Sequence, residues 1–349
     1  MIFEAKIPKI KIYKIDGDLC RTKASTKPQK TKYFKKVEGI EMLNKIDLVY
    51  LWVDGSDTKW AKKKASALAK INGITLSQDA IDNCRFVQHD ELKYSLRSVE
   101  KYAPWINHIY IVTDNQVPEW LNTKNKKVTI VDQSLILPKD VKFCFNSTAI
   151  EHCIVNIPGL SENFLYACDD MFFWNNTEPD FFFDDKDKAI CHFNKPIKNR
   201  KYKHMYGSQI INAYKLILEK FGHCTKYFPH HGIDAYKKSS LKKCKDCFKK
   251  QMKQTTYSTF RSTFDIQRVI YSYFMIEEET AKPYFHKSSF FKKTEDGYVS
   301  LKIKKMKNIL KQKYPILCIN DGRKTTLEDR KYMVNLLELK FPNKSKFER

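Results

Sequence analysis

The sequence contains no run of about 18 uninterrupted apolar residues, which is the length that a membrane-spanning helix needs. Its first residues, MIFEAKIPKIKIYKIDGD, alternate lysine with isoleucine, and they lack both the apolar core and the cleavage site of a secretory signal peptide. Internal repeats and low-complexity tracts are also missing, which excludes repeat architectures. From these absences we expect a cytoplasmic protein.

Acidic residues are few relative to basic ones: 40 Asp plus Glu stand against 64 Lys plus Arg, a formal net charge of +24. This imbalance favours an anionic partner, such as a nucleotide, a polyanionic product, a membrane face or nucleic acid. Helix-turn-helix, zinc-finger and single-strand platform motifs are missing, so nucleic acid is kept only as a remote alternative. The Lys-rich segment 301–314 (LKIKKMKNILKQKY) predicts either a solvated helix face or peripheral contact with the anionic inner face of the cell membrane.

The ten cysteines are scattered through apolar segments of a chain much longer than the small disulfide scaffolds, so we expect reduced thiols. Cys244 and Cys247 form a CxxC pair within KKCKDCFKKQMKQ, which has the pattern of a helix. A zinc site would need a second pair at suitable spacing. The sequence leaves open whether this pair binds anything.

From Ile46 onward, apolar β-branched runs (IDLVYLWV, HIYIVT, KVTIVD and FLYACDDMFF) alternate with segments of helical periodicity (DELKYSLRSVEKYA, STAIEHCIVNI). Strands that alternate with helices predict an α/β fold with a mostly parallel sheet flanked by helices. Further on, GSQIINAYKLILEKFG predicts a helix that ends at Gly222.

The composition suggests four parts of the chain. We expect a basic lead-in over residues 1–45, with a mobile segment at KASTKPQKTKYFKK, and an α/β core over 46–175. A mainly helical insert follows over 176–316, and a C-terminal block covers 317–349.

Acids follow the predicted strands, at Asp54, Asp114, Asp132, Asp169 and Asp170. Ligand sites in parallel sheets lie at the carboxyl ends of the strands, so these acids should share one rim. Asp is also a common turn and N-cap residue, and that alternative stays open for Asp114 and Asp132. The adjacent pair Asp169 and Asp170 is flanked by apolar residues, which favours Mg²⁺ or Mn²⁺ and phosphate binding over an exposed turn.

Two further segments carry candidate residues. In FNSTAIEHC, Asn146 or Ser147 could cap a helix that also carries Glu151, an acid in either a substrate pocket or a dipole-stabilised first turn. In FPHHGID, His230 and His231 could accept a proton from an attacking hydroxyl, bind a metal, or form a surface turn.

Arg97 and Arg261 both lie on predicted helices with aromatic neighbours. A guanidinium there could clamp a phosphate through two hydrogen bonds. The alternative for either arginine is a structural salt bridge, to Glu100 or to Asp265.

Taken together, these segments resemble the Stealth family of sugar-phosphate transferases, which includes bacterial capsule polymerases and the catalytic part of the lysosomal-enzyme N-acetylglucosamine-1-phosphotransferase. Four blocks occur in the family's order: IDLVYLWVDGSD (46–57), residues 85–173 from RFVQHDELKYSL to FLYACDDMFF, the His-containing loop with FRSTFDIQRVIYSYF (about 206–274), and the segment that begins LCINDG (317–348).

The resemblance implies a GT-A-like fold and a reaction in which an acceptor hydroxyl attacks the phosphorus next to the sugar of a nucleotide-sugar donor. A nucleoside monophosphate leaves and a phosphodiester forms on a glycan acceptor. UDP with N-acetylglucosamine or N-acetylmannosamine is the implied donor, and Mg²⁺ or Mn²⁺ the implied cofactor. Capsule-assembly proteins are further implied partners.

The resemblance also implies roles for individual residues. Asp169, Asp170 and Asp321 would hold the cation, a loop histidine would be the general base, and Arg261 would stabilise developing charge. The implied substrate pocket comprises Asp54, Gly55, Asp57, Arg97, Asn146, Ser147, Glu151, Asn320 and Asp321.

The third block departs from the family pattern, because Gly232 stands where a proline is usual if His230 is the counterpart of the family histidine. The base is therefore either His230 or His231, with a slight preference for His231. An ordinary glycosyltransferase, which attacks the anomeric carbon and releases the nucleoside diphosphate, is the main alternative because strand-end acids suit both reactions.

Overall fold

The computed structural model describes residues 45–70, 76, 78–198, 202, 204–286 and 297–349, all of which belong to the compact unit Leu43–Arg349. The predicted mobile segment in the lead-in lies outside the described residues. The strands are β1 (Ile46–Leu51), β2 (Ile109–Thr113), β3 (Val128–Asp132), β4 (Asn163–Cys168), β5 (Met171–Phe173), β6 (Ala189–Pro196), β7 (Tyr227–Pro229), β8 (Asp234–Lys237), β9 (Ala281–Phe285), β10 (Tyr298–Ser300) and β11 (Ile316–Asn320).

The main sheet has the order β3-β2-β1-β4-β8, in which β1 to β4 are parallel and β8 is antiparallel to β4. The central strands β1 and β4 are buried along almost their whole length, as expected for a parallel sheet covered on both faces. The prediction of an α/β fold with a mostly parallel sheet is confirmed.

A second sheet, β10-β11-β5, begins where the chain leaves the main sheet. After β4 the chain turns at Asp169 and Asp170, and β5 then pairs antiparallel with β11. The Asp169–Asp170 turn therefore lies at the junction of two sheets. A third sheet, β7-β6-β9, is formed by strands from the segment 176–316.

The helices are α1 (Thr58–Ala69), α2 (Gln78–Ile81), α3 (Glu91–Tyr102), α4 (Ser147–Glu151), α5 (Met205–Phe221), α6 (Lys238–Cys247), α7 (Lys249–Thr256), α8 (Val269–Glu277), α9 (Ile303–Met306) and α10 (Leu327–Lys340). Helix α5 ends at Gly222 with a φ of 78°, the left-handed conformation that glycine adopts without strain, so that prediction is confirmed.

Helix α3 links the two sheets at the core. The buried Ser95 hydroxyl lies 2.7 Å from the Tyr50 hydroxyl on β1 and donates to the Met171 carbonyl on β5 at 2.5 Å. Buried polar groups are stable only when paired, so these bonds fix α3, β1 and β5 in one arrangement.

The segment 176–316, predicted as a mainly helical insert, contains the helices α5 to α9 together with the strands β6 to β10. Of these strands, β8 completes the main sheet beside β4. The Lys-rich segment 301–314 folds as the four-residue helix α9 and short turns, with Met306 and Ile309 buried, so it does not form a long amphipathic helix. None of the helices in the described part of the chain has the length and apolarity needed to cross a bilayer.

Candidate functional site

A cleft of about 880 Å³ opens at the carboxyl ends of the central strands. One wall is aromatic and apolar, and includes Trp52, Trp60 and Phe145. Polar and basic residues from two other segments also line the cleft: Ser300, Lys302, Lys304 and Lys305 from the first, and Asn320, Asp321, Arg323, Lys324 and Thr325 from the second. The predicted site residues that line the cleft are Ser147, Asp169, Asp170, His231, Arg261, Asn320 and Asp321.

Asp169 and Asp170 form the floor of the cleft together with Glu91, which begins helix α3. Burial and the neighbouring Asp170 raise the pKa of Asp169 well above its ordinary value. Burial also raises the pKa of Asp170 to about 6 and that of Glu91 to about 7. Because the pKa values of all three acids are raised, their charged forms are unfavourable unless a bound cation or a shared proton offsets the negative charge.

The surroundings of Asp170 test whether a divalent cation fits. Its Oδ2 accepts a hydrogen bond from the Cys318 thiol at 3.5 Å, whereas its Oδ1 is buried with no hydrogen-bond partner in the described part of the chain. Within that part, no three Asp, Glu, His or Cys side chains converge as a ready-made metal site. The residues therefore fit a cation bound by one or two carboxylates and completed by substrate phosphate oxygens, as is usual for Mg²⁺.

Asp321 lines the same cleft but is already paired. Its carboxylate accepts from Arg330 Nε at 2.9 Å and from a second guanidinium nitrogen at 3.3 Å. This bidentate contact engages both carboxylate oxygens, so a cation at Asp321 would share the carboxylate with Arg330.

The two loop histidines lie in different surroundings. His231 lines the cleft, edge-on to the rings of Tyr206 and Tyr298. His230 is buried away from the cleft lining and stacks on His286, with ring centroids 4.5 Å apart. Only the first of these positions gives access to a substrate in the cleft.

Burial, Arg268, His230 and Arg261 together lower the pKa of His231 to about 3. The imidazole of His231 is therefore neutral near pH 7, and a neutral imidazole has a nitrogen lone pair that can accept a proton. Bound anionic phosphate would oppose the effect of the two arginines and make this nitrogen more basic.

Arg261 lies in a loop held against the start of α4. A guanidinium nitrogen of Arg261 donates a hydrogen bond to the hydroxyl of Ser147, the first residue of that helix. The loop is fixed by Asp265, which accepts from the Ser262 amide and from the Asn146 side chain, both at 2.9 Å. Asn146 also caps α4, so its role in the structure is to hold the loop and the helix together.

Glu151 lies behind the cleft wall in a buried network that sequence reasoning missed. It accepts from the Tyr166 hydroxyl at 2.9 Å and pairs with Arg268 at 3.4 Å. Arg268 also pairs with Asp234 at 2.9 Å. The available signal was an arginine directly before the apolar run VIYSYFMI, because a charge at such a position requires a buried acidic partner.

The residues Asp54, Gly55 and Asp57 form the turn that follows β1 and do not line the cleft. Asp54 accepts from the Ser56 amide and hydroxyl, and Asp57 caps α1 by accepting from the amides of residues 59 and 60. Gly55 lies so close to the backbone of residue 86 that a Cβ would come within 2.5 Å of that carbonyl oxygen. This turn orients α1 and thereby Trp60, which lines the cleft.

Arg97 is not brought to the cleft, which corrects the prediction of a substrate contact. Its guanidinium pairs bidentately with Glu348 at 2.9 and 2.8 Å, and a third nitrogen reaches the Phe341 carbonyl at 2.8 Å and Glu338 at 3.2 Å. Arg97 therefore forms a structural salt bridge, which was the alternative interpretation. Its acidic partners are Glu348 and Glu338 in the C-terminal segment, not Glu100.

The other rim acids divide between two roles. Asp132 caps the turn after β3 through the Ser134 amide at 2.8 Å, which matches the turn-and-cap alternative. Asp114 lines the cleft and pairs with Lys63.

At the CxxC pair, Cys244 is buried and Cys247 is exposed on α6, and both are free thiols.

Comparison with known proteins gives extensive matches. Conserved region 1 of the Stealth proteins matches residues 44–71, and conserved region 2 matches residues 85–191. The exopolysaccharide phosphotransferase cps2G of Lactiplantibacillus plantarum is 32% identical over 339 residues, which cover 87% of this chain and 96% of that protein. The receptor polysaccharide phosphotransferase WefC of Streptococcus gordonii is 30% identical over 341 residues, covering 88% and 100%.

Among solved structures, the galactosyltransferase LgtC in complex with donor and acceptor sugar analogs aligns at 11% identity with a TM-score of 0.40, covering 84% of this chain and 96% of that one. A likeness of this size does not bear on function. The sequence relatives, in contrast, align over nearly their full lengths and are named phosphotransferases. The chain is a transferase enzyme and belongs to the Stealth protein family.

Proposed function

We propose that the enzyme transfers a hexose-1-phosphate, specifically an N-acetylhexosamine-1-phosphate, from a UDP-sugar to a hydroxyl of an acceptor glycan. UMP is released and a phosphodiester forms. The observation that carries the proposal is that His231, Arg261 and the Asp169–Asp170 pair line one cleft, although they come from three separate segments of the chain. The names of the relatives support a role in capsule or cell-surface polysaccharide synthesis.

The shape and lining of the cleft support two substrates. A volume of about 880 Å³ lies near the upper end of the range of about 300 to 1,000 Å³ that is usual for ligand pockets. The wall with Trp52, Trp60 and Phe145 offers flat apolar surfaces to the donor nucleoside, since bases pack on aromatic rings. The acceptor would then approach from the side of His231.

The reaction can be written with the side chains of the cleft. The neutral imidazole of His231 takes the proton of the acceptor hydroxyl as its oxygen forms a bond to the phosphorus next to the sugar. The bond from that phosphorus to the bridging oxygen breaks, and the electron pair leaves with UMP. The guanidinium of Arg261 donates hydrogen bonds to the phosphoryl oxygens, which carry more charge in the transition state than in the donor.

We include a divalent cation, Mg²⁺ or Mn²⁺, in the proposal. Asp169 and Asp170 would hold it, with Oδ1 of Asp170, which is buried and has no hydrogen-bond partner among the described residues, as a ligand. Asp321 could join while it shares its carboxylate with Arg330. When bound, the cation would offset the charge of the donor diphosphate and of the leaving group.

The experiment that tests the reaction identifies the released nucleotide. The purified protein is incubated with Mg²⁺, UDP-N-acetylglucosamine or UDP-N-acetylmannosamine, and a capsule-type oligosaccharide, and the products are separated by ion-exchange chromatography. Acceptor-dependent UMP supports attack at phosphorus. Acceptor-dependent UDP would mean attack at the anomeric carbon and would replace the proposal with an ordinary glycosyltransferase.

The cation is tested without reference to turnover. Isothermal titration with Mn²⁺ in the presence of a UDP-sugar should give a binding signal in the wild type that Asp169→Asn and Asp170→Asn each weaken at least tenfold. Equal affinity in all three proteins would remove these carboxylates from the cation site.

We further propose that the enzyme works on the cytoplasmic side of the cell membrane, in peripheral contact with the membrane or with capsule-assembly proteins.

A further inference from the structure

Tyr298, on strand β10, is a partly buried residue that stands behind the cleft instead of lining it. In the parallel pair of β10 and β11 it lies beside Cys318, and Ser300 lies beside Asn320. Side chains two positions apart on a strand share one face of the sheet, so Tyr298, Cys318 and Asn320 belong to one face. Asp170 lies against that same face, since it contacts both Cys318 and Asn320.

The hydroxyl of Tyr298 is linked to Asp170 through one side chain. It donates a hydrogen bond to Oδ1 of Asn320 at 3.2 Å. Asn320 in turn hydrogen-bonds the Asp170 carboxylate, as the Cys318 thiol does at 3.5 Å. Because a carboxylate only accepts, the amide nitrogen of Asn320 must face Asp170, and the Tyr298 hydroxyl fixes that orientation by occupying the other end of the amide.

The ring of Tyr298 contacts the proposed base. The ring centroids of Tyr298 and His231 are 5.3 Å apart and the ring planes lie at 85°, and Tyr206 on α5 meets His231 edge-on at 5.9 Å. Such edge-to-face contacts are favourable. Among the described residues no hydrogen bond holds the imidazole of His231, so ring contacts set its orientation.

The backbone at Tyr298 is firmly held against β11. The Cys318 amide donates to the Gly297 carbonyl at 2.6 Å. Gly297 has a φ of 62°, and a Cβ there would overlap the Ile316 carbonyl oxygen, so the close approach of the two strands depends on glycine. Tyr298 therefore has a fixed place relative to β11 before any substrate binds.

The proposed reaction needs the base and the cation acids at a set separation, although they belong to different segments. His231 lies in the loop before β8, and Asp170 lies in the turn between β4 and β5. The attacking oxygen must fit between the imidazole and the phosphorus at the cation, and a misplacement of about 1 Å can cost roughly 100-fold in rate. Tyr298 contacts His231 directly and Asp170 through Asn320, so one rigid side chain spans both.

We propose that Tyr298 is a positioning residue that sets the placement of His231 relative to Asp170, with its ring holding the imidazole and its hydroxyl holding Asn320 and thereby the carboxylate. This inference rests on the proposed function and adds to it a residue that lies outside the cleft lining. The two parts of one side chain have separate effects, which two substitutions can distinguish.

The hydroxyl is tested with Tyr298→Phe, which keeps the ring. Isothermal titration of the whole chain with Mn²⁺ in the presence of UDP-N-acetylglucosamine should show an affinity lowered about 3- to 10-fold, the effect of one hydrogen bond between neutral groups. Asn320→Ala removes the intermediary, so Tyr298→Phe should cause no further loss in that background. Unchanged affinity in Tyr298→Phe, losses that multiply in the double variant, or a wild type that binds no Mn²⁺ would each overturn the inference.

The ring is tested with Tyr298→Leu, which keeps an apolar side chain. Its affinity for Mn²⁺ should equal that of Tyr298→Phe, whereas its rate of acceptor-dependent nucleotide release should be lower by a further 10- to 100-fold or so, because the imidazole is misplaced. In the His231→Ala background the Phe and Leu variants should have the same rate, since no imidazole remains to be positioned. Equal rates with His231 present, or a further loss that persists without it, would overturn the inference.

Tyr332→Phe and Tyr332→Leu are the matched controls, because Tyr332 is a partly buried tyrosine on α10 outside the cleft. Both should keep the affinity and the rate of the wild type. Urea midpoints report whether Tyr298→Leu folds, and if it does not, Tyr298→Phe and Asn320→Ala decide the inference. Release of UDP would reject the proposed function, whereas the comparisons of double variants are independent of which nucleotide leaves and would still decide the role of Tyr298.

Discussion

Arg268 donates a hydrogen bond from Nε to Oδ2 of Asp234 at 2.9 Å, which ties the start of helix α8 to the first residue of β8. The loop with His231 enters β8 at this point. Arg268 also pairs with Glu151 at 3.4 Å and lies over the ring of Tyr166 at 4.8 Å. One buried guanidinium thus holds the loop that carries the proposed base against the wall of the cleft.

Replacement of Arg268 by Gln should destabilise the protein by about 3 to 5 kcal/mol, because two buried acids lose the charge that compensates them. The midpoint of urea unfolding measures this loss. Arg268→Lys is the matched variant. It keeps the charge but lacks the planar fork, so it should recover part of the stability and less of the activity. Full activity in the folded Gln variant would show that Arg268 does not position His231.

The pKa of Glu91 predicts an unusual pH dependence of stability. Burial raises this pKa from its ordinary 4.5 to about 7. A raised folded-state pKa means that the contribution of Glu91 to stability is complete below about pH 4.5 and is lost as the pH rises to about 7. Relative to Glu91→Gln, the wild type without added cation should therefore lose about 3 kcal/mol of stability across that range.

The prediction for Glu91 is checked by urea unfolding of both proteins at about pH 4 and about pH 8 in the presence of EDTA. Glu119→Gln, at an exposed position outside the cleft, serves as the control and should follow the wild type at both values. A constant difference between wild type and Glu91→Gln would mean that the carboxyl group is not desolvated as the structure indicates.

Much of the fold was predictable because its signals are local. The runs that form β1 and β4 are apolar apart from Asp47 and Asn163, and the acids after them mark strand ends, so the position of Asp169 and Asp170 on a shared edge followed from the sequence alone. That His231 lines the cleft and His230 does not was visible only in the structure, because adjacent residues in one loop have the same sequence context but can have different surroundings.

The errors concern residues whose partners are distant in the chain. Arg97 pairs with Glu348, 251 positions away, and Arg268 pairs with Glu151, 117 positions away. Periodicity identifies which face of an element is buried but not which charge lies opposite it, so a structural arginine and a phosphate-binding arginine have the same appearance in the sequence. Glu91 was missed for a related reason: its raised pKa comes from burial beside Asp169 and Asp170.

Because Arg97 lies outside the cleft, its substitution should lower the free energy of unfolding without lowering the catalytic rate. Arg97→Ala leaves Glu348, a nearly buried carboxylate, without its guanidinium and should cost about 3 kcal/mol. Lys101→Ala on the same helix removes an exposed hydrogen bond to the Lys340 carbonyl and ring contacts with Tyr102 and Phe341, and it should cost about 1 kcal/mol or less. The rate per folded molecule should stay within about twofold of the wild type for both. A large fall in kcat for Arg97→Ala would return this residue to the site.

The two histidines provide the sharpest test of the site, because they are adjacent and only one lines the cleft. His231→Ala should lower kcat by roughly 10²- to 10⁴-fold with little change in the urea midpoint, since it removes the proposed base from a partly open position. His230→Ala should instead lower stability by about 1 to 3 kcal/mol, because it removes a buried ring stacked on His286, while kcat changes only a few-fold. Initial rates of nucleotide release at saturating donor, together with urea unfolding, measure both effects. Two mild changes in kcat would mean that neither histidine is the base, and the larger loss at His230 would mean that the loop rearranges when substrate binds.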